Sequence, residues 1–350
     1  MSAGDRERRR RAMYLPKRWM VSNHIGFFER WEVRISPWKE ISRLTHVLIL
    51  GATGFVGGAI ARHFVRTGHR VSGLARSGTK AAQLTQAGID PVHGDIETDL
   101  SSILTAVRDA DAVIYAAQIA PPAEQQAVAG LLDALTGSGK TFLFLSGSGV
   151  LCQRTNGAWS ADSFAEEDAF TPEPLAIARV ETEQRVRAAA RQGVRAMVVR
   201  PPLIWGPGDH GHVSMVYRSV SFTRAACYVG DGLATYGNVH VDDIADLFAR
   251  ALQSGEAGAL YHAVAGETAN RWIAEAVARD LGVPTRSVSM AEAAAIWGEF
   301  GALIMSVSSR VRDAASRAAL GWSPRHTDML SEIGEPRLRV LAASQTQEGA

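Results

Sequence analysis

Lysine is nearly missing from this 350-residue chain: Lys17, Lys39, Lys80 and Lys140 are the only four, and arginine carries the rest of the positive charge. Cysteine is scarcer still. Cys152 and Cys227 lie far apart, with no Cys-x-x-Cys and no clustered histidines, so neither a disulfide framework nor a zinc site is expected, and no metal. The formal charge of +1 gives no reason to expect nucleic acid as a partner. No apolar run approaches the roughly eighteen residues of a membrane helix, so a membrane is not expected either. A reducing, cytoplasmic setting fits this composition.

Residues 1–45 read as a peripheral or disordered extension. Met1 to Met20 holds Arg6, Arg8, Arg9, Arg10, Arg11 and Arg18, but Asp5 and Glu7 interrupt the charge and no apolar signal core follows. Trp31 and Trp38 leave docking of Phe27 to Ile41 on the following domain open.

A second absence is local. His46 to Gly51 reads as a short buried strand, and Gly51-x-x-Gly54-x-x-Gly57 then opens an amphipathic helix through Val56, Ile60, Phe64 and Val65. That order suits a dinucleotide: Gly51 for the tight turn, Gly54 for close approach of a pyrophosphate, Gly57 for helix–strand packing, with the helix amides facing phosphate. An NAD site ordinarily adds an Asp or Glu about twenty residues on. Here Gly58 to Ile89 contains no acid at all, and the second strand ends at Arg76, with Lys80 close by. A cation without a carboxylate suits a 2′-phosphate, so NADP is the expected cofactor, with NAD left open.

Apolar strand-like runs then alternate with helical patterns. The strands are His46 to Leu50, Arg70 to Ala75, Asp90 to His93, Asp111 to Ala116, Thr141 to Ser146 and Arg195 to Arg200; helices include Ala123 to Leu135 and Leu175 to Arg191. Strands separated by helices imply an α/β fold, a doubly wound Rossmann-type parallel sheet covered on both faces, with its ligand at the carboxyl ends of the strands. Residues 46–200 form the dinucleotide core in this reading. Residues 201–330 form a smaller C-terminal substrate lobe interleaved with the last sheet elements, and 331–350 a C-terminal tail.

Six ordered segments carry a resemblance: GATGFVGGAI at 51–60, GDI at 94–96, DAVIYAA at 111–117, RPPLIWGPGD at 200–209, NVHVDDIA at 238–245 and LGWSP at 320–324. From His46 to about Pro324 the chain resembles the extended short-chain dehydrogenase/reductase superfamily, in its NAD-dependent epimerase/dehydratase branch. The resemblance places Thr53, Phe55 and Val56 with the three glycines on the cofactor, Asp95 and Ile96 at its adenine, Ala116 and Ala117 beneath it, and Pro202 and Leu203 beside the nicotinamide. It also implies Tyr-x-x-x-Lys on the helix after the fifth strand, with a serine at that strand's end, for proton exchange with the substrate oxygen. The chain departs from that pattern. Leu175 stands at the tyrosine position and Arg179 at the lysine position, and none of Tyr14, Tyr115, Tyr217, Tyr228, Tyr236 or Tyr261 has a lysine four residues later.

The remaining catalytic candidates are Ser148, Arg179 and Tyr236. Ser146 and Ser148 flank Gly147, where the reactive serine falls if Val150 keeps register; a turn-capping role is the alternative for both. Arg179 reads either as a cofactor contact or as a partner of Glu181 or Glu183, and its guanidinium is a poor proton shuttle. Tyr236 leads a group of proton-donor candidates that includes Tyr115, His210, His212 and His240, against a loop-anchoring role.

Two functions follow. One is an atypical NADP-dependent oxidoreductase or epimerase/dehydratase acting on a small carbonyl or sugar-nucleotide-like substrate, with Arg218, Arg224, Arg310 and Arg312 available to a diphosphate. The other is a non-catalytic NADP(H)-binding sensor. The resemblance also implies a homodimer through the helices 123–135 and 175–191.

Overall fold

The computed structural model describes residues 45–343. Seven parallel strands form the central sheet: β1 (His46–Leu50), β2 (Arg70–Ala75), β3 (Asp90–His93), β4 (Ala112–Tyr115), β5 (Thr141–Leu145), β6 (Arg195–Arg200) and, after β7 (Leu203–Trp205), β8 (Ala226–Val229) and β9 (Thr235–His240), β10 (Leu260–His262). Their spatial order is β3-β2-β1-β4-β5-β6-β10. Four of the six strands expected from sequence have the expected bounds; β4 and β5 stop one residue earlier, and β4 also starts one residue later.

Both faces of this sheet are apolar because both are covered. Along β1, Val47 and Ile49 join one core with Ile60 and Phe64 of α1 (Phe55–Arg66). Leu48 and Leu50 join the opposite core, with Val107 of α3 (Leu104–Asp109), reached after α2 (Gly78–Gln86), and Leu131 of α4 (Pro121–Leu135). Successive side chains of a strand point to opposite faces, so a doubly covered strand reads as an unbroken apolar run. The helix expected from Leu175 is a 3-10 turn, Pro174–Ala176, then α5 (Ile177–Ala188), then a second 3-10 turn.

The lobe is built on α6 (Gly211–Thr223). It packs with α8 (Asn270–Leu281), which follows α7 (Val241–Ser254), and with α9 (Met290–Ser306), and it encloses Val216, Tyr217, Ile273 and Val277. Strand β9 lies between β7 and β11 (Gly266–Ala269), while β8 pairs with β12 (Thr285–Val288). After α10 (Ala314–Leu320), the stretch expected as a tail contains α11 (Pro336–Ala343), which packs on α6 and buries Leu338.

One buried charge ties the sheet to the end of α7. Arg195, only 1% exposed, opens β6 and donates to the carbonyls of Ala251, Leu252 and Gly255 at the end of α7, and to Thr141 Oγ1. A helix end leaves its last carbonyls without intrahelical donors and carries partial negative charge, so the guanidinium answers both deficits without a carboxylate. Arg195→Leu strands those carbonyls in the interior. It is expected to lower the unfolding free energy by about 3 kcal/mol, measured by urea titration.

Candidate functional site

The spatial order reverses between β1 and β4, and a crevice opens at the carboxyl ends of those strands. Its floor exists because two side chains are missing. Gly51 has φ +98°, and a Cβ there would lie 2.5 Å from the Ala116 carbonyl oxygen; on Gly57 it would lie 2.2 Å from the Gly51 carbonyl oxygen. Gly54 caps α1 without a side chain, and no acid stands in the first turn. The first amides of α1 are thus left to an anion.

The resulting cleft has a volume of about 580 Å³. Gly51, Gly54 and Gly57 line it with Thr53, Phe55 and Val56. Ala116 and Ala117 also line it. So do Arg76, Lys80, Asp95, Ile96 and Glu97 from the β2 and β3 ends, and Ser146, Arg179 and His210. Of the residues expected at the cofactor, Pro202 and Leu203 are the two outside this lining: Leu203 pairs with Asn238 of β9, and Pro202 lies beside Gly237.

Glu97 was missed in sequence. The acid-free stretch ends at Ile89, but the chain returns after β3 and sets the Glu97 carboxylate 3.6 Å from the Arg76 guanidinium. The premise that no carboxylate stands near Arg76 is therefore corrected. The pair is loose, with the Arg76 side chain 67% exposed.

Arg179 lines the cleft and is held from below. Its guanidinium forms a 3.0 Å ion pair with Glu124 of α4, not aligned as a hydrogen bond, donates to the Leu145 carbonyl at 3.4 Å and covers the Phe144 ring. Burial raises the Glu124 carboxyl above the usual range and Arg179 partly offsets that. Neither expected helix partner is used: Glu181 accepts from Gln125, and Glu183 accepts from Ser146 and from Arg200 in a buried pair. Ser146 thus lines the cleft with its hydroxyl committed to Glu183. Leu175 is 52% exposed and outside the cleft.

The three catalytic candidates do not converge. Ser148 is buried, its hydroxyl 2.9 Å from that of Ser309, and the Tyr236 phenol hydrogen-bonds with both serines. Ser148 and Tyr236 share this buried hydroxyl cluster away from the cleft that holds Arg179. Burial pushes the Tyr236 phenol up to about 12, which makes it a weaker acid. Tyr115 is fully buried under the cleft, its phenol raised by desolvation and by Glu124. His240 accepts from the Asp242 amide and so caps α7. His212 is buried, with Nδ1 2.7 Å from Asn270 Oδ1 and its ring against Tyr236. Of the proton-donor candidates Tyr115, Tyr236, His210, His212 and His240, His210 alone lines the cleft.

The arginines offered to a diphosphate are mostly engaged: Arg218 with Asp209, Arg310 with Glu267 and Arg312 with Asp168. Arg224 sits at the far end of α6 from His210.

A doubly wound sheet with a glycine-lined cleft at its reversal point is the architecture of dinucleotide-dependent α/β enzymes. The family model of the NAD dependent epimerase/dehydratase family matches residues 47–265, and the chain belongs to that family. It is 32% identical to an uncharacterized protein of Schizosaccharomyces pombe, over 82% of this chain and 97% of the relative. A 2-alkyl-3-oxoalkanoate reductase of Stenotrophomonas maltophilia is 29% identical over 57% of this chain and 62% of the relative. Among solved structures, a UDP-glucose 4-epimerase of Thermotoga maritima superposes with a TM-score of 0.66 at 17% identity, covering 85% of this chain and 97% of its own; that likeness is one of fold.

His212 carries a pH consequence. Burial holds its imidazole down to about 4, against an ordinary value near 6.5. Below pH 6.5 the unfolded chain takes up a proton that the folded chain refuses, so stability present above 6.5 is lost as pH falls toward 4, by up to about 3 kcal/mol. His240 and His262 are lowered by burial too and act in the same direction. Urea midpoints should fall across that window, and His212→Leu should flatten part of the slope.

Proposed function

We propose that the chain is an NADP(H)-dependent oxidoreductase of the epimerase/dehydratase type that acts on a small carbonyl compound, with NAD(H) as the weaker cofactor, in the cytoplasm. The observation that carries this reading is the two-ended cleft, with Arg76 and Lys80 at one end and Ser146 and Arg179 at the other, joined by the uncapped start of α1. A bound nicotinamide would supply the hydride. The chain's own residues bind and orient: the α1 amides take the pyrophosphate, Arg76 and Lys80 the 2′-phosphate, and Arg179, kept in place by Glu124 and Phe144, the ribose next to the nicotinamide.

The ion-paired state of Arg218, Arg310 and Arg312 favours a small carbonyl over a sugar nucleotide. The homodimer implied by the family pattern would use α4 and α5, near whose start Leu175 and Ile177 are exposed. A second reading, an NADP(H)-binding sensor, draws on the exposed Leu175 and on the seclusion of Ser148 and Tyr236.

Equilibrium titration of the full chain with NADPH and NADH is expected to show about a tenfold preference for NADPH, modest because Arg76 is open to solvent. Arg76→Asp should reverse the preference. Glu97→Gln, which frees Arg76, should tighten NADPH by roughly threefold and leave NADH nearly unchanged. Equal affinities in the native chain would overturn the NADP assignment. Turnover of NADPH with a panel of aldehydes and ketones separates the enzyme from the sensor.

A further inference from the structure

One side chain of the lobe reaches the rim of the cleft. His210, exposed at the start of α6, stacks on Phe55 with ring centroids 4.6 Å apart and planes inclined by 36°. Phe55 is the first residue of α1, so the contact joins the lobe to the helix whose amides open on the cleft, and both rings line that cleft. Space for the stack comes from Gly208: a Cβ there would lie 3.0 Å from His210 Cδ2 and 3.5 Å from Phe55 Cε2. The loop is also secured from behind, by Arg337 of α11, which donates to the Gly208 carbonyl, and by the Asp209–Arg218 pair.

We propose that His210 is a phosphate clasp, whose imidazole N–H binds the pyrophosphate seated on the α1 amides and thereby draws the lobe onto the cofactor. The proposal rests on the dinucleotide reading above and adds a ligand contact that the glycine motif does not contain. A pyrophosphate on those amides lies beside Phe55, within reach of a ring stacked on Phe55. Imidazole donates to an oxyanion in either charge state and does so more strongly when protonated. The charged groups held beside it are Asp209 and Arg218, paired with each other, and Arg337 at Gly208. The first turn of α1 adds no acid; Arg179, Arg76, Lys80, Asp95 and Glu97 line the same cleft from the strand ends and from α5. A bound diphosphate therefore favours the protonated ring, and affinity should rise as pH falls.

The test is binding of NADH, whose bridging phosphates keep their charge over this range, to the full chain at about pH 6 and about pH 8.5. The native chain is expected to bind about tenfold more tightly at the lower pH. His210→Phe keeps a ring on Phe55 and should lose that pH response while melting at the native temperature. Gly208→Ala, which crowds the imidazole without removing it, should weaken NADH by several-fold. AMP, which has the adenosine end without the pyrophosphate bridge, should bind the native chain and His210→Phe alike. A pH-independent native affinity, or a pH response that survives in His210→Phe, overturns the clasp. Failure of the native chain to bind either NADH or NADPH overturns the dinucleotide reading itself, and the clasp with it.

Discussion

The interaction on which the rest depends is contact between backbones. The turn after β1 presses on the end of β4 at Gly51, and the first turn of α1 presses on Gly51 at Gly57. Any Cβ at either place would overlap a carbonyl, so the sheet, the helix and the crevice can share one corner only because both residues are glycine. The same closeness leaves the amides of α1 facing a polar cavity. One geometric condition therefore sets the packing and opens the cavity, with Arg179 and the β2 and β3 ends arranged around it.

Several charged groups in the interior are each set against something the fold would otherwise leave incomplete. Arg195 completes a helix end, Glu183 holds Arg200 and Ser146 together, and Glu124 fixes the Arg179 guanidinium at the cleft. Burying charge is costly unless it is paired or hydrogen-bonded, so these residues mark where the architecture had a deficit. The Ser148, Ser309 and Tyr236 cluster is a neutral version of the same device. It seals the junction of β5, β9 and the chain after α9.

The sheet was legible in sequence because its strands are covered on both sides and spaced by amphipathic helices; His46–Leu50 and Arg195–Arg200 could be delimited from their apolar runs alone. The glycine spacing located the cleft for the same reason, since steric need is written in residue type. What stayed hidden were contacts made across long stretches of chain: Glu97 on Arg76, Glu124 under Arg179, His210 on Phe55, and Ser148 with Ser309, which are 161 residues apart. Nothing local encodes such pairs. Arg179 has acids two and four residues on along its own helix, which left pairing with Glu181 or Glu183 open beside a cofactor contact; its ion pair is instead with Glu124 of α4, which is buried. Residues 1–44, with Trp31 and Trp38, lie outside the described residues.

The sheet's last strand has a bearing on synthesis. β10 pairs with β6 but arrives about sixty residues later, after β7 to β9, α6 and α7 have been threaded between them. A nascent chain that has emerged only as far as Arg200 therefore holds β6 as a bare edge, with Arg195 lacking the α7 carbonyls it will eventually meet. Exposed edges of this kind invite pairing with other chains. The N-terminal half therefore stays incomplete until residues 241–262 have been delivered, when β6 gains its second neighbour and Arg195 its carbonyls.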